Sequence, residues 1–289
     1  MNRTLLPSPI PRPRPLPRRE IDAVTLDHFV NQVHNARLPP RPPPMATLDR
    51  RQREFARRED VFLDTAQALI QREGLLNLQM SRIAEECEYA IGTLYRHFAS
   101  KEDLLVALST RNCLDRVGLF ERAARWPGPT RDRIVALALA DLIMLREQPE
   151  HFRLAQFVWT DVVWGAASES SRQRALTASG PLATLVDGIA AEARRNGELP
   201  ADFALPDQAL TIGPWILCLG MHTLSQQHGL LEPADVGDPY RLLFKHLHYL
   251  LNGYGWQPLF DPGDDERLDR AIDQLCRDVF DAPCPYPTR

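Results

Sequence analysis

The run from Gln79 to Lys101, QMSRIAEECEYAIGTLYRHFASK, constrains the fold more than any other part of the chain. Ile83 and Ala84 share a helical face with Cys87, and Leu94 and Phe98 form a second apolar face four residues apart. Glu88-Tyr89 interrupts the period between them. Apolar positions that switch face across so short a break fit two short helices over one small core, a helix-turn-helix. The second helix is predicted over about Ala90 to Arg96. It turns outward Ile91, Thr93, Tyr95 and Arg96, with His97 at its end, a set that can donate to phosphate or reach a base edge. Ser100-Lys101-Glu102-Asp103 then reads as a capping box that opens a further helix.

In order and spacing, Ile83-Ala84, Gly92-Thr93-Leu94-Tyr95, His97-Phe98 and Ser100-Lys101-Glu102 resemble the DNA-binding domain of the tetracycline-repressor (TetR/AcrR) family of transcriptional regulators. The resemblance covers roughly Phe55 to Leu108. It implies a homodimer on double-stranded DNA, with an all-helical C-terminal domain that holds a small-molecule effector and sets DNA affinity. On this resemblance Gln79, Arg82, Thr93, Tyr95 and Lys101 are the candidates for phosphate contact. Ile91, Thr93, Arg96 and His97 are the candidates for base contact, with Arg96 to guanine the sharpest expectation. Three positions depart from the family pattern. Glu88 stands where the turn usually has Gly, and a side chain there strains a left-handed backbone. Ala90 replaces a capping Ser, and Ile91 stands where a basic residue is common.

Charge supports a division of labour along the chain. The net charge is −4, but residues 1–58 carry 12 arginines and no lysine against five carboxylates, a net of +7 that leaves −11 for the remainder. A basic N-terminal part facing DNA and an acidic ligand-and-dimer part fit this polarity. A disordered Arg-Pro tail fits it equally. Residues 1–49 read as a Pro/Arg-rich, disordered extension. Within it IDAVTLDHFVNQVHNA has helical spacing, and Met45 resembles an ordinary start. Five scattered cysteines without a CxxC, no secretory signal and no membrane span point to the cytoplasm and free thiols.

The rest is helical by period and punctuation, so the predicted fold class is all-α. An N-terminal three-helix DNA-binding domain with its helix-turn-helix is expected over residues 50–108. A C-terminal helical ligand-binding and dimerisation bundle is expected over 109–281, and a flexible tail over 282–289. Helices are predicted over about Arg50 to Glu73, Lys101 to Arg125, Thr130 to Glu147, Pro149 to Trp164, Ser168 to Asn196, Pro206 to Gln227, Pro239 to Asn252 and Asp264 to Phe280. The helices from Pro206 and from Pro239 are apolar on more than one side and need a core or an interface. By the resemblance they pair with their copies in a dimer. Met144, Phe157, Trp159, Trp164, Trp215, Cys218 and His222 are the candidate ligand-binding residues, an aromatic and soft apolar wall with His222 or Trp159 as a polar tip. Taken singly, each reads first as plain core, and the group is the stronger candidate. No GxGxxG, GxxxxGK[ST], GxSxG or HExxH occurs, so neither an enzyme nor a cofactor or metal site is expected. The reading is a ligand-responsive repressor on an inverted-repeat operator. The alternative is a dimeric interaction protein of the same fold with degenerate DNA reading.

Overall fold

The first helix, α1 (Arg50–Glu73), buries Phe62, Leu63, Ala66, Leu69 and Ile70 along one stripe and keeps its arginine-rich first turns outside. Gly74, at φ 88°, ends it in a conformation that costs a side chain free energy but suits glycine. The computed structural model describes residues 50–227, 229–231 and 237–285. The N-terminal extension, with its candidate helix, and residues 286–289 of the tail lie outside the described residues.

After a short 3₁₀ turn come α2 (Met80–Glu86) and α3 (Ile91–His97), then the long α4 (Lys101–Arg125). Ser100 caps α4: its Oγ accepts from the Asp103 N–H at 3.1 Å. The reciprocal half of the predicted capping box is absent, because the buried Asp103 carboxylate instead accepts the Ser168 N–H at 2.7 Å. That bond ties the start of α4 to a segment 65 residues further on.

The C-terminal body consists of α5 (Thr130–Glu147), α6 (Pro149–Val158), α7 (Asp161–Trp164), α8 (Glu169–Arg195), α9 (Asp207–Ser225), α10 (Pro239–Gly253) and α11 (Asp265–Leu275), ending in a π turn, Cys276–Phe280. No strand occurs among the described residues, and no helix there is long and apolar enough to cross a membrane. The helix predicted from Pro149 to Trp164 is two helices, because Trp159-Thr160 turns the chain between them. The helix through Gly180-Pro181 is continuous, with Pro181 inside α8. α9 and α10 approach closely at Gly213, where an added Cβ would lie 2.3 Å from the Tyr254 hydroxyl.

Two cores form. One holds the inner faces of α5, α9, α10 and α11 around Trp256. The other lies under the helix-turn-helix, with Phe62, Ile83, Leu94, Phe98, Leu104 and Leu108, and is completed by Leu154, Val158, Val163 and Ala167 from α6, α7 and the loop beyond. The boundary expected at residue 108 therefore falls within α4, and the small N-terminal core crosses it.

At the start of α5 a buried arginine organises the larger core. Arg131 donates to the Trp256 carbonyl at 2.7 Å and to the His248 carbonyl at 3.0 Å, and its guanidinium lies 3.2 Å from His248 Nδ1. Trp256 Nε1 donates to Thr130 Oγ1 at 2.8 Å, and Thr130 in turn bonds the Glu198 carboxylate. The His248 ring stacks on Phe260 at 4.0 Å. Burial first, then the charges of Arg131 and Arg267, pushes the His248 pKa down to about 3. A histidine kept neutral in the fold and protonated when unfolded binds more protons in the unfolded state, so stability falls as pH drops below about 6.5. Between pH 7 and pH 5 the expected loss from His248 is about 2 kcal/mol, before most carboxylates titrate. Burial shifts His97 and His151 in the same direction. Chemical denaturation across that window checks this; a flat profile would contradict the neutral, buried assignment.

Candidate nucleic-acid interface

The turn between α2 and α3 explains how a glutamate serves where glycine is common. Cys87 ends α2, Glu88 follows at φ 58°, the Glu88 N–H donates to the Glu85 carbonyl at 3.0 Å, and the Tyr89 N–H donates to the Ala84 carbonyl at 2.9 Å. These paired bonds are the Schellman stop, which needs a left-handed residue at the Glu88 position. Tyr89 then packs edge-on against Phe62, ring centroids 5.3 Å apart. The turn keeps its shape and Glu88 bears the strain.

α3 has no side-chain cap at Ala90. Leu94 points into the core, so Ile91, Gly92, Tyr95 and Arg96 form the exposed face, with Thr93 half-buried beside it. Nothing lies within 4 Å of a Cβ placed on Gly92. Arg96 donates to Thr93 Oγ1 at 3.2 Å, within reach of both the groove face and its own helix. Gln79 is exposed at the start of α2, and Lys101 is half-buried at the start of α4.

Two expectations change. His97 does not face outward: its side chain is 1% exposed, stacked on Phe55 at 3.8 Å and edge-on to Phe62 at 5.3 Å. It joins α1 to α3 and has no free edge for a base. Arg82 is exposed, but it lies 3.0 Å from Glu85 and 3.8 Å from Glu73, while Arg72 holds Glu73 and Glu86. Such surface pairs are weak, and a phosphate can displace them. They also balance two of the three carboxylates of this unit. Arg50, Arg51, Arg53 and Arg57 of α1 are exposed, and Phe55 of the same helix stacks on His97 at the end of α3.

The candidate ligand-binding residues do not form one wall. Phe157 and Trp164 pack against the helix-turn-helix core, and half-exposed Trp159 stacks on Trp164 at 4.6 Å. Trp215 is 52% exposed on the outer face of α9. Met144, Cys218 and His222 are buried in the C-terminal body. The turn at Trp159-Thr160 causes this split by sending α7 toward the N-terminal core. Burial pushes the Cys218 thiol up, and that of Cys87 likewise, which keeps both protonated.

Around His222 lies a polar cluster absent from the sequence-based candidates. Asp141 Oδ1 accepts from Arg116 at 3.0 Å, and Asp141 Oδ2 faces His222 Nε2 at 3.7 Å, longer than a hydrogen bond. Burial opposes charge on Asp141, yet His222 and Arg116 beside it hold its carboxyl below the usual range. From Ile134 to Leu145 every residue is buried except Asp141. The signal was legible as a lone carboxylate on the stripe of Ile134, Leu137, Ala138, Leu142 and Leu145.

The helix-turn-helix shares its core with α6 and α7 of an all-helical C-terminal body. Residues 62–108 match the family model of bacterial regulatory proteins, tetR family. That match spans the helix-turn-helix and the start of α4. An HTH-type transcriptional regulator of Staphylococcus aureus (strain USA300) is 49% identical over 41 residues, 14% of this chain and 22% of that protein. The chain thus matches about a fifth of the length of that relative. A protein of unknown function from Rhodococcus sp. RHA1 shares the fold with a TM-score of 0.53 at 20% identity, over 68% of this chain and 95% of that one. The transcriptional regulator FadR from Bacillus subtilis, solved in complex with stearoyl-CoA, does so at 0.51 and 18%, over 67% and 98%.

Replacing Glu88 with glycine removes the cost of a left-handed side-chain residue. Glu88→Gly is expected to stabilise the protein by about 1 kcal/mol in denaturant unfolding. A destabilised variant would mean that the Glu88 side chain contributes a contact that outweighs its backbone strain.

Proposed function

We propose that the protein is a DNA-binding transcriptional regulator, a repressor that reads an inverted-repeat operator as a homodimer and leaves it when a small, mostly apolar ligand binds. The observation that carries this reading is the exposed face of α3, Ile91, Gly92, Tyr95 and Arg96, held by the Schellman turn beside the arginine-rich start of α1. A short helix with an open glycine, an aromatic hydroxyl and a guanidinium suits a major groove. Tyr95, Thr93, Lys101, Gln79 and a displaced Arg82 would hold phosphates, and Arg96 would read guanine.

Dimerisation fits the outer faces of α9 and α10. Trp215 and Ile216 are 52% and 56% exposed, and Leu219 and Tyr249 are exposed as well. Large apolar side chains grouped on neighbouring helices favour a buried, self-complementary interface. Twofold symmetry would then set the two α3 helices about 34–36 Å apart, one turn of duplex. The effector domain would be the body around Met144, Cys218 and His222, where α4 carries Arg116 on the same helix that supports the head. A protein of the same fold, solved with stearoyl-CoA, takes a ligand with a long apolar acyl chain. Binding that favours one tilt of α4 would shift the head spacing and weaken DNA binding by the same coupling free energy.

The second reading, an interaction protein with degenerate DNA reading, draws on one observation: residues 79–101 carry three cations and three carboxylates, and Arg82 is engaged by one of the latter, Glu85, and by Glu73 of α1.

Tyr95→Ala is expected to weaken binding to every duplex to a similar degree, whereas Arg96→Ala relaxes preference at one position by about 1–3 kcal/mol. Fluorescence anisotropy on single-base variants of a bound duplex separates the two. Identical profiles for both variants would remove these roles. Ile216→Glu is expected to convert the dimer to a folded monomer in light scattering and to cost at least tenfold in affinity for a two-half-site duplex. A dimer unaffected by that charge would move the interface elsewhere.

A further inference from the structure

Several buried side chains have one polar atom without a partner, but His222 has both ring nitrogens in that state. His222 is 1% exposed and neither ring nitrogen has a hydrogen-bond partner. Leaving a buried imidazole unsatisfied is costly, so such a group calls for a partner. Its ring is fixed by Phe152, edge-on at 5.3 Å, and by Tyr240 at 5.7 Å, so it cannot swing to another acceptor without repacking. Asp141 keeps 17% of its side chain accessible in the middle of an otherwise buried stretch of α5, Ile134 to Leu145. Arg116 satisfies Oδ1 and neutralises the carboxylate charge, which leaves Oδ2 as an acceptor facing a histidine nitrogen 3.7 Å away.

We propose that this couple is the polar anchor of the effector site and selects an uncharged hydroxyl on an aromatic or aliphatic body. One oxygen at hydrogen-bond distance from both groups donates its proton to Asp141 Oδ2 and accepts from His222 Nε2. A carboxylate would meet Asp141, and an ammonium would meet Arg116, so either charge is disfavoured. The body of the ligand lies among Met144, Phe152 and Cys218. Because Arg116 belongs to α4 and Asp141 to α5, the anchor touches the helix that carries the DNA-reading head. This inference rests on the reading of the C-terminal body as an effector domain.

The test uses the full chain and four matched probes: 2-naphthol, naphthalene, 2-naphthoate and 2-naphthylmethylammonium. Dissociation constants come from equilibrium dialysis, and DNA affinity is measured in parallel. The expected result is that 2-naphthol binds about tenfold more tightly than naphthalene and more tightly than either ion. His222→Phe, close in volume, is expected to abolish that preference while naphthalene binding persists. Asp141→Asn, which keeps the shape, reduces it severalfold and serves if His222→Phe unfolds. Equal binding of naphthol and naphthalene, preference for an ion, retention of the preference in both variants, or no binding of any probe overturns the proposal. Selective naphthol binding with no change in DNA affinity would uphold the anchor and reject the ligand-responsive reading of the whole protein.

Discussion

The shared core beneath the helix-turn-helix is the constraint on which the rest depends. α2 and α3 have seven residues each, too short to persist alone, since helix nucleation is costly and two turns return little. They hold because Ile83, Leu94 and Phe98 are buried against α1 and α4, and because Leu154, Val158, Val163 and Ala167 close the same core from the other side. Truncating one such leucine typically costs about 2–5 kcal/mol, a large share of a domain's net stability. The head is therefore fixed to α6 and α7 as well as to α4, and the Asp103 carboxylate on the Ser168 N–H adds a polar tie at the same junction. A movement of α6 or α7 cannot leave α3 where it was.

The body has two buried polar centres with different characters. Arg131 spends two nitrogens on main-chain carbonyls, and His248 beside it is covered by Phe260, so this centre ties α5 to α10 and the Trp256 loop. At the centre formed by Asp141, Arg116 and His222 both ring nitrogens of the histidine lack a partner, whereas at the first centre one nitrogen each of Arg131 and His248 does. The Asp141 centre also bridges three helices, α4, α5 and α9.

Much of the architecture was legible because punctuation residues act locally. Gly74, Ser100, Pro149 and Pro239 mark helix ends where the structure has them, and the Leu94–Phe98 pair marks the inward face of α3. What was not legible depends on how helices cross. His97 follows three outward residues in sequence, but α1 passes over the end of α3 and Phe55 draws the ring inward. The aromatic candidates read as one wall because they are close in sequence or alike in type, yet one turn at Trp159-Thr160 sends two of them to the head and Trp215 lies on an outer face. Asp141 was visible as a carboxylate on an apolar stripe. Its significance required its neighbours, Arg116 from 25 residues before and His222 from 81 after, which no local pattern supplies.

The central claim is that α3 with the start of α1 forms a working DNA-reading surface despite Glu88, Ala90 and Ile91. Its most direct test is a binding selection on randomised duplex DNA, repeated across a salt titration. An enriched inverted repeat with half-sites one helical turn apart is expected, with an affinity that falls steeply with salt as counterions released by real phosphate contacts compete. A folded dimer that enriches no sequence and shows little salt dependence would contradict it.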